Sequence, residues 1–554
     1  MLGRHVFMES LVAHGVERMF GNPGTTESPL LDSLADYPSI DYIVALHEGV
    51  AVGAANFYAQ ASGKSAVVNL HVAPGLGNAI GMLYCAYKAN SPIVVTAGQQ
   101  DTRMRLRDPV LGHDLVAMAE PVVKWSVQAE TADELGAIMH RAFKIANDPP
   151  AGPVFVALPI NVMEQETVHG VMASASVGRT PTPDHDALTQ IADVLLGANA
   201  PVIVVGDDVA RAGAGDMLIE VAEAVGATVW FEALRGHAAV PSRHPHVRGG
   251  LPVDAAAIAK VLATADTVLL CGGPFFEDVW YAPGLPFAAD AKVLQIEASP
   301  ERLGRNFALH AGALGALKPA LINLVAILNE RQSASHGATV AARNIALREQ
   351  ADSARAAHTA RVARAGDRRP MPMSVLMDLL SSCVPPGTAI VDESITASID
   401  LERSFEFGGY GDFFGGRGGG IGQGLPGALG VQLAMPQRRV MCVSGDGSAM
   451  YSIQALWSAA HHQLPIVFVI LANNEYRILK HNIDAYRQRF DTGSNRPYAN
   501  MDLSGPNLGF VDLAAGMGID GQRVSDPDDV RRAIADAFAA NAPRIVEIAI
   551  EGKR

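Results

Sequence analysis

Two turns late in the chain carry residue types that suit a divalent cation. The first, Gly445-Asp446-Gly447-Ser448, follows the apolar run Val440 to Ser444, and the second, Ala472-Asn473-Asn474-Glu475-Tyr476, follows the run Ile466 to Leu471. An aspartate at the carboxyl end of a parallel strand stands in the crevice where open α/β sheets bind ligands. Flanking glycines let a phosphate approach the main chain, and the helix start behind them favours an anion. A carboxylate beside a phosphate is repulsive unless a cation separates them, so these residues ask for Mg²⁺. An amide oxygen and a backbone carbonyl from the second turn would complete a hard-oxygen shell that retains water and phosphate oxygens. Taken singly, both turns also read as ordinary strand-end loops.

Buried strands must hold such turns in place, and the chain supplies them. Short apolar runs alternate with Ala-rich helical patterns, at Tyr42 to Leu46, Ala66 to Leu70, Ile93 to Thr96 and Val154 to Leu158 in the first block. The same pattern returns at Pro201 to Asp208, Thr267 to Gly273 and Lys292 to Ser299, then at Ala389 to Asp392 and the two runs above. Bounded runs of this kind predict strands buried on both faces of parallel sheets, so the fold class is α/β with three doubly wound parallel-sheet domains. The expected domains are 1–166, 185–331 and 370–554. A polar linker from Thr167 to Asp184 and an exposed helix over 332–369 would connect them. Asp133-Glu134-Leu135 and Asp528-Asp529-Val530 precede Ala-Phe pairs at the same spacing, each followed by an apolar strand. The first and third blocks read either as duplicated folds around a different middle or as a chance likeness, since Ala-rich helices followed by apolar strands are common.

Composition agrees with a compact soluble protein of several domains. Of 554 residues, 49% are hydrophobic and 18% charged, enough to bury several cores. The net charge of −14, without a basic run, supplies no counterion-release term, so nucleic acid is excluded as a partner. Four cysteines without CxxC spacing argue against a zinc site or a disulfide scaffold and suit a reducing cytoplasmic location. The longest apolar stretch, Leu464 to Ala472, is about half a membrane span, and no membrane association is expected. The 54 glycines exceed average usage and must lie in turns or against ligands.

The GDG turn followed by a strand and an asparagine resembles the thiamine diphosphate motif of the thiamine diphosphate-dependent 2-oxo acid decarboxylase superfamily, and the chain resembles its benzoylformate decarboxylase branch. The resemblance extends over FGNPGTTE (Phe20 to Glu27), ALHEGVAVG (Ala45 to Gly53), NLHVAPGLGNAIG (Asn69 to Gly81), TAGQQ (Thr96 to Gln100), VKWS (Val123 to Ser126), GLPGALGVQLA (Gly424 to Ala434) and GDGSAMYSIQALWSAA (Gly445 to Ala460). It implies pyrimidine-binding, central and diphosphate-binding domains, with the cofactor between the first domain of one subunit and the third of another. A homodimer is then the minimum, with a homotetramer expected. The metal ligands it implies are Asp446, Asn473 and the main-chain oxygen of Glu475. Gly447, Ser448, Tyr451 and Thr396 would contact the diphosphate, with Gly24 and Tyr476 also at the cofactor. Ile395 replaces a hydroxyl residue beside Thr396. By the same resemblance the carbonyl of Gly419 accepts from the cofactor's 4′-amino group and Ile421 is the apolar wedge between its rings.

Glu48 matches the family's cofactor-activating glutamate, whose carboxyl bonds the aminopyrimidine N1′. As a bare residue it reads more readily as an acid at a helix start, interacting with the helix dipole. Thr25 matches the hydroxyl residue that meets the substrate carboxylate, and His71 the histidine that handles protons. The family's second histidine is missing, Val279 standing near its place. His113 is a candidate replacement or else a surface-loop histidine. Arg477, Ile478 and Asn482 are bulkier or more polar than a benzoyl pocket requires. Arg417 adds a cation that could meet an acidic substrate or serve the loop. The expected activity is decarboxylation of a small-molecule 2-oxo acid to an aldehyde. The alternatives are a carboligase or lyase of the acetohydroxyacid synthase or 2-hydroxyacyl-CoA lyase type, and an inactive paralogue acting as a scaffold.

Overall fold

The computed structural model describes residues 1–174, 178 and 181–552, so part of the linker expected between Thr167 and Asp184 lies outside the described residues. Among the described residues, three six-stranded sheets account for the strands. The first holds β1 (Arg18–Gly21), β2 (Asp41–Val44), β3 (Ala66–Leu70), β4 (Ile93–Gln99), β5 (Ser126–Gln128) and β6 (Val154–Pro159), in the order β2-β1-β3-β4-β6-β5. The second holds β7 (Pro201–Val205), β8 (Thr228–Phe231), β9 (Val247–Gly250), β10 (Thr267–Cys271), β11 (Lys292–Glu297) and β12 (Ala311–Leu314), ordered β12-β11-β10-β7-β8-β9. The third holds β13 (Ala389–Glu393), β14 (Phe413–Gly415), β15 (Val440–Gly445), β16 (Ile466–Ala472), β17 (Asp520–Val524) and β18 (Arg544–Ala549), ordered β14-β13-β15-β16-β18-β17.

The ladders described are parallel, and the third sheet repeats the strand order of the first. The middle sheet does not. The duplication suggested by the two similar block endings is thus a duplication of topology. Strands β4, β6, β15 and β16 are buried along nearly their whole length, which is why they read as continuous apolar runs rather than alternating ones. The 32-residue helix Ala334–Ala365 is the exposed connection, with only Val340, Leu347 and Ala351 buried. Among the described residues no helix is long and apolar enough to cross a membrane.

By packing, the chain divides into two compact units. One comprises 1–177, 368–398 and 416–554, and the other 178–367 and 399–415. The first unit therefore contains the first sheet together with most of the third. Its centre is a contact between the helices Glu48–Ser62 and Gly424–Ala434, both buried over most of their surface. Their small residues explain the closeness: a side-chain carbon at Gly430 would lie 2.1 Å from the Ala54 carbonyl, and one at Gly427 2.9 Å from the Phe57 ring. Edge strand β2 is also tied to the third sheet's layer. The outward N–H of Val44 donates to Nε2 of His462 at 3.0 Å, and its carbonyl accepts from Oγ of Ser458 at 3.0 Å. These two side chains satisfy an edge that would otherwise expose unpaired main chain.

Candidate active site

In the third sheet, register places Gly445 beside Leu471 and Glu393 beside Ser444, so the turns after β13, β15 and β16 share one carboxyl edge. Asp446, 3% exposed, opens the short helix Asp446–Ala449. Its Oδ1 accepts the Gly447 N–H at 2.8 Å and its Oδ2 the Asn474 N–H at 2.6 Å. Asn473 Oδ1 accepts the Glu475 N–H at 3.0 Å. Burial raises the Asp446 carboxyl above its ordinary range, and four backbone hydrogen bonds only partly oppose it. Burial also acts on Glu475, but there hydrogen bonds from Lys480 and Arg477 prevail and hold its pKa below the usual value.

This donor set fits a hard cation shared with a phosphate ligand. Among the described residues no group of three or more His, Cys, Asp or Glu side chains could hold a metal. The edge instead offers one carboxylate, one amide and main-chain oxygens, so the other ligands must come from a bound group and from water. Gly447 and Ser448 are buried beside Asp446, and the Tyr476 ring lies over Gly447, where a side-chain carbon would meet it at 2.7 Å. Tyr451 is 60% exposed, and Thr396 is half-buried with its hydroxyl near the Met373 sulfur.

The glycine-rich segment before the helix Gly424–Ala434 belongs to the same edge. Gly418, Gly419 and Gly422 have φ of +79°, +73° and +90°, a conformation that side chains disfavour. Ile421 is half-buried and Gly419 exposed. Glu393, fully enclosed at the end of β13, accepts the N–H groups of Gly422 (2.7 Å), Gln423 (2.8 Å) and Gly424 (2.9 Å). Gln423 Nε2 donates to the carbonyls of Arg417 (3.0 Å) and Gly420 (2.6 Å). Between those two, the Gly419 carbonyl makes no hydrogen bond among the described residues.

The first sheet's carboxyl edge gathers the remaining candidates. Glu48 begins its helix after the His47 cap; its Oε2 accepts from Asn78 Nδ2 at 3.0 Å, and Asn22 Nδ2 lies 3.5 Å from Oε1. His71 caps the helix Val72–Lys88, and its Nδ1 lies 2.8 Å from Oε2 of Glu27. Glu27, with a side chain 1% exposed, also accepts from Thr26 Oγ1 at 2.8 Å and from the Gly98 N–H at 2.8 Å. The pair fits because glycines face it. A side-chain carbon at Gly24 would lie 1.9 Å from the His71 ring, and one at Gly98 2.1 Å from the Glu27 carboxylate. Val72, next to His71, is a β-branched residue at φ +41°, a strained conformation fixed by its full burial.

Thr25 is exposed on the same 3₁₀ turn as Glu27, whereas Thr26 is the threonine turned toward His71. His113 is exposed in the loop after β4, its carbonyl accepting from Gln99 Nε2 at 2.7 Å. Glu27, Asn22, Asn78, Glu393 and Gln423 were not singled out from sequence. The signal available for the two acids was position: Glu27 lies on the turn after β1 and Glu393 ends β13, yet both are buried. On the substrate side, Arg417 is 2% exposed, as closely enclosed as Asp446. Arg477 is committed to Glu475 at 3.0 Å and to the Glu551 carbonyl, so its charge is compensated within the chain. Ile478 is 37% exposed and Asn482 half-buried, on the helix Arg477–Arg489. Val279, in the other unit, is exposed.

The sequence matches three family models: Thiamine pyrophosphate enzyme, N-terminal TPP binding domain over residues 1–118, central domain over 188–324, and C-terminal TPP binding domain over 400–548. It is 33% identical over 545 residues to the benzoylformate decarboxylase of Pseudomonas aeruginosa, covering 98% of this chain and 97% of that protein. To a putative acetolactate synthase large subunit of Mycobacterium tuberculosis it is 29% identical, covering 99% of each. Among solved structures, a putative thiamin diphosphate-dependent enzyme from Mycobacterium smegmatis superposes with a TM-score of 0.85 at 31% identity, covering both chains fully. The 4-hydroxybenzoylformate decarboxylase of Rhodococcus jostii does so with a TM-score of 0.84 at 28% identity, again over both whole chains. The matched domains span most of the chain, and on each outer sheet the candidate residues sit together at one carboxyl edge: the chain belongs to the thiamine pyrophosphate enzyme family.

Proposed function

We propose that this protein is a Mg²⁺- and thiamine diphosphate-dependent enzyme that decarboxylates a small 2-oxo acid to an aldehyde. The observation that carries the reading is the coexistence of two half-sites, a phosphate-and-cation edge at Asp446 and a proton-handling edge at Glu48 and His71. Asp446, Asn473 and the Glu475 main-chain oxygen would hold Mg²⁺. Gly447, Ser448, Tyr451 and Thr396 would face the diphosphate, with Gly24 and Tyr476 nearby. The Gly419 carbonyl is unengaged where an amino group would bond, and Ile421 would wedge the rings. When bound, thiamine diphosphate supplies the sink for the electron pair released with CO₂.

The chain's own groups manage the protons. Glu48, buried and steered by Asn78, would face the aminopyrimidine nitrogen. Glu27 holds the proton of His71 on Nδ1, which leaves Nε2 to accept or deliver a proton at the reacting carbon. Thr25 would meet the substrate carboxylate, His113 is a second proton carrier from the neighbouring loop, and Ile478 and Asn482 would line the acyl pocket. Geometry also supports a homodimer as the minimum working form. His71 and Cys85 stand at opposite ends of one helix, and Cys85 packs against Gly420. At the helical rise, His71 and the glycine turn of one chain are therefore roughly 20 Å apart. One cofactor would draw its two edges from two chains, and a tetramer would pair two such dimers.

Carboligation is the second reading, favoured by the full-length similarity to acetolactate synthase large subunits and by Val279 near the position of a second histidine. A panel of 2-oxo acids, supplied to the Mg²⁺- and cofactor-loaded protein, separates the readings. CO₂ release with an aldehyde product supports decarboxylation, CO₂ with a ligated hydroxyketone supports the second reading, and neither product across acids and acyl-CoAs would leave a scaffold.

A further inference from the structure

We propose that Glu393 is a positioning residue for the cofactor, fixing the turn Gly418 to Gly422 so that the Gly419 carbonyl and the Ile421 side chain are set before any ligand arrives. The inference rests on the thiamine diphosphate reading above and adds a residue that the reading itself does not require. Its basis is the way one buried carboxylate is spent. Glu393 accepts three consecutive main-chain N–H groups, at 2.7, 2.8 and 2.9 Å, and the first belongs to Gly422, before the helix Gly424–Ala434 begins. An acid serving only that helix would need no bond to Gly422.

The other side of the turn is closed as well. The Gln423 amide ties the carbonyls of Arg417 and Gly420, so the loop is gripped through its N–H groups by Glu393 and through its carbonyls by Gln423. Between these grips the Gly419 carbonyl is left without a partner among the described residues. Glu393 also ends the strand whose next turn carries Thr396, so the same side chain locks the diphosphate-side turn to the ring-side turn. A turn held this way loses little freedom on binding, and pre-organisation of that kind appears as affinity.

The arrangement depends on charge. An ionised carboxylate accepts all three N–H groups, whereas a protonated one turns one oxygen into a donor. Burial pushes the Glu393 pKa up to about 7, the three N–H groups pull it back, and neighbouring Asp392 adds to the rise. The other titratable groups facing it, Cys85 from the Val72 helix and Cys442 from β15, have pKa values raised by burial and stay neutral in this range.

The test is calorimetric titration of thiamine diphosphate into wild-type and Glu393→Gln protein, with Mg²⁺ present, from pH 6 to pH 8.5, together with melting of both apo proteins. The expected result is an affinity loss of about tenfold or more in the variant at pH 8, as for a missing charge-assisted hydrogen bond. The wild-type advantage should shrink as pH falls through about 7. Equal affinities, or a pH-independent ratio between the two proteins, would overturn the proposal. Wild-type protein that binds no thiamine diphosphate would instead overturn the functional reading. If the variant does not fold, amide hydrogen exchange in the wild-type apo protein decides. Gly422, Gln423 and Gly424 should be strongly protected at pH 8, and fast exchange there would refute the brace.

Discussion

Oε2 of Glu27 lies 2.8 Å from Nδ1 of His71, and this pairing fixes which ring nitrogen of the histidine is left for chemistry. With the carboxylate accepting from Nδ1, the neutral ring carries its proton there and presents Nε2 as a base. The Thr26 hydroxyl and the Gly98 N–H hold the carboxylate's other oxygen and keep it from turning away.

If that coupling is what makes His71 competent, Glu27→Gln should lower kcat by roughly 10²-fold or more with a much smaller change in KM. Because the two residues act as a unit, Glu27→Gln combined with His71→Ala should be no slower than His71→Ala alone. Steady-state kinetics of the three variants checks this, and additive losses would separate the two residues.

Glu48→Gln preserves the size of the side chain and its contact with Asn78 but removes the proton it can exchange. Turnover should fall by about 10²–10⁴-fold while thiamine diphosphate still binds. Parallel assays of CO₂ release and of cofactor affinity test both halves, and a variant of normal activity would exclude Glu48 from proton exchange.

Asp446→Ala removes the single carboxylate of the proposed cation shell and leaves the Asn474 N–H without its acceptor. Mg²⁺-dependent cofactor affinity should drop on the order of a hundredfold, equivalent to about 2.7 kcal/mol. Calorimetry with and without the metal is the measurement, and an unchanged metal dependence would move the cation elsewhere.

Gly430→Ala tests the helix contact at the centre of the larger unit. The added methyl would meet the Ala54 carbonyl at 2.1 Å, which no rotamer can relieve, so the helices must part. A loss of about 1–3 kcal/mol, or more, is expected, visible as a lower Tm in calorimetry with the middle unit's transition unaffected.

In the middle unit, burial raises the Glu297 carboxyl to about 7, Asp208 reinforces the shift and Arg302 opposes it. A carboxyl whose folded pKa exceeds its unfolded value contributes stability below the unfolded pKa and loses it as pH rises through the folded one. Melting of this unit should therefore weaken between about pH 4.5 and pH 7, and Glu297→Gln should flatten that slope.

Much of the fold was legible because buried parallel strands print themselves as apolar runs: Val440 to Ser444 and Ile466 to Leu471 became β15 and β16 with small changes at their ends. The edge strand Asp520–Val524 was not legible, since an exposed strand of Asp, Gly, Gln and Arg carries no apolar period. Of the candidate residues, Glu48, His71 and Asp446 stood out in the sequence because each sits in a motif at a strand's end. Glu27 and Glu393 did not, because their importance lies in partners that only the folded chain supplies. The Gly98 N–H lies on β4, remote in sequence from the Glu27 turn, and the Gly422 turn is separated from Glu393 by a helix and a strand. Arg417 shows the converse: sequence can announce a cation without saying that it is buried.

The hydrogen bonds of Val44 to His462 and Ser458 close loops of 418 and 414 residues. On a ribosome the first sheet emerges long before the helix that covers its edge strand, so the nascent chain carries an unfinished edge through most of its synthesis. Contacts of such separation are slow to form and leave exposed edges open to wrong pairing. The two units thus differ in when their parts are made: the last segment of the middle one ends at Gly415, whereas the other joins residues from both sides of it.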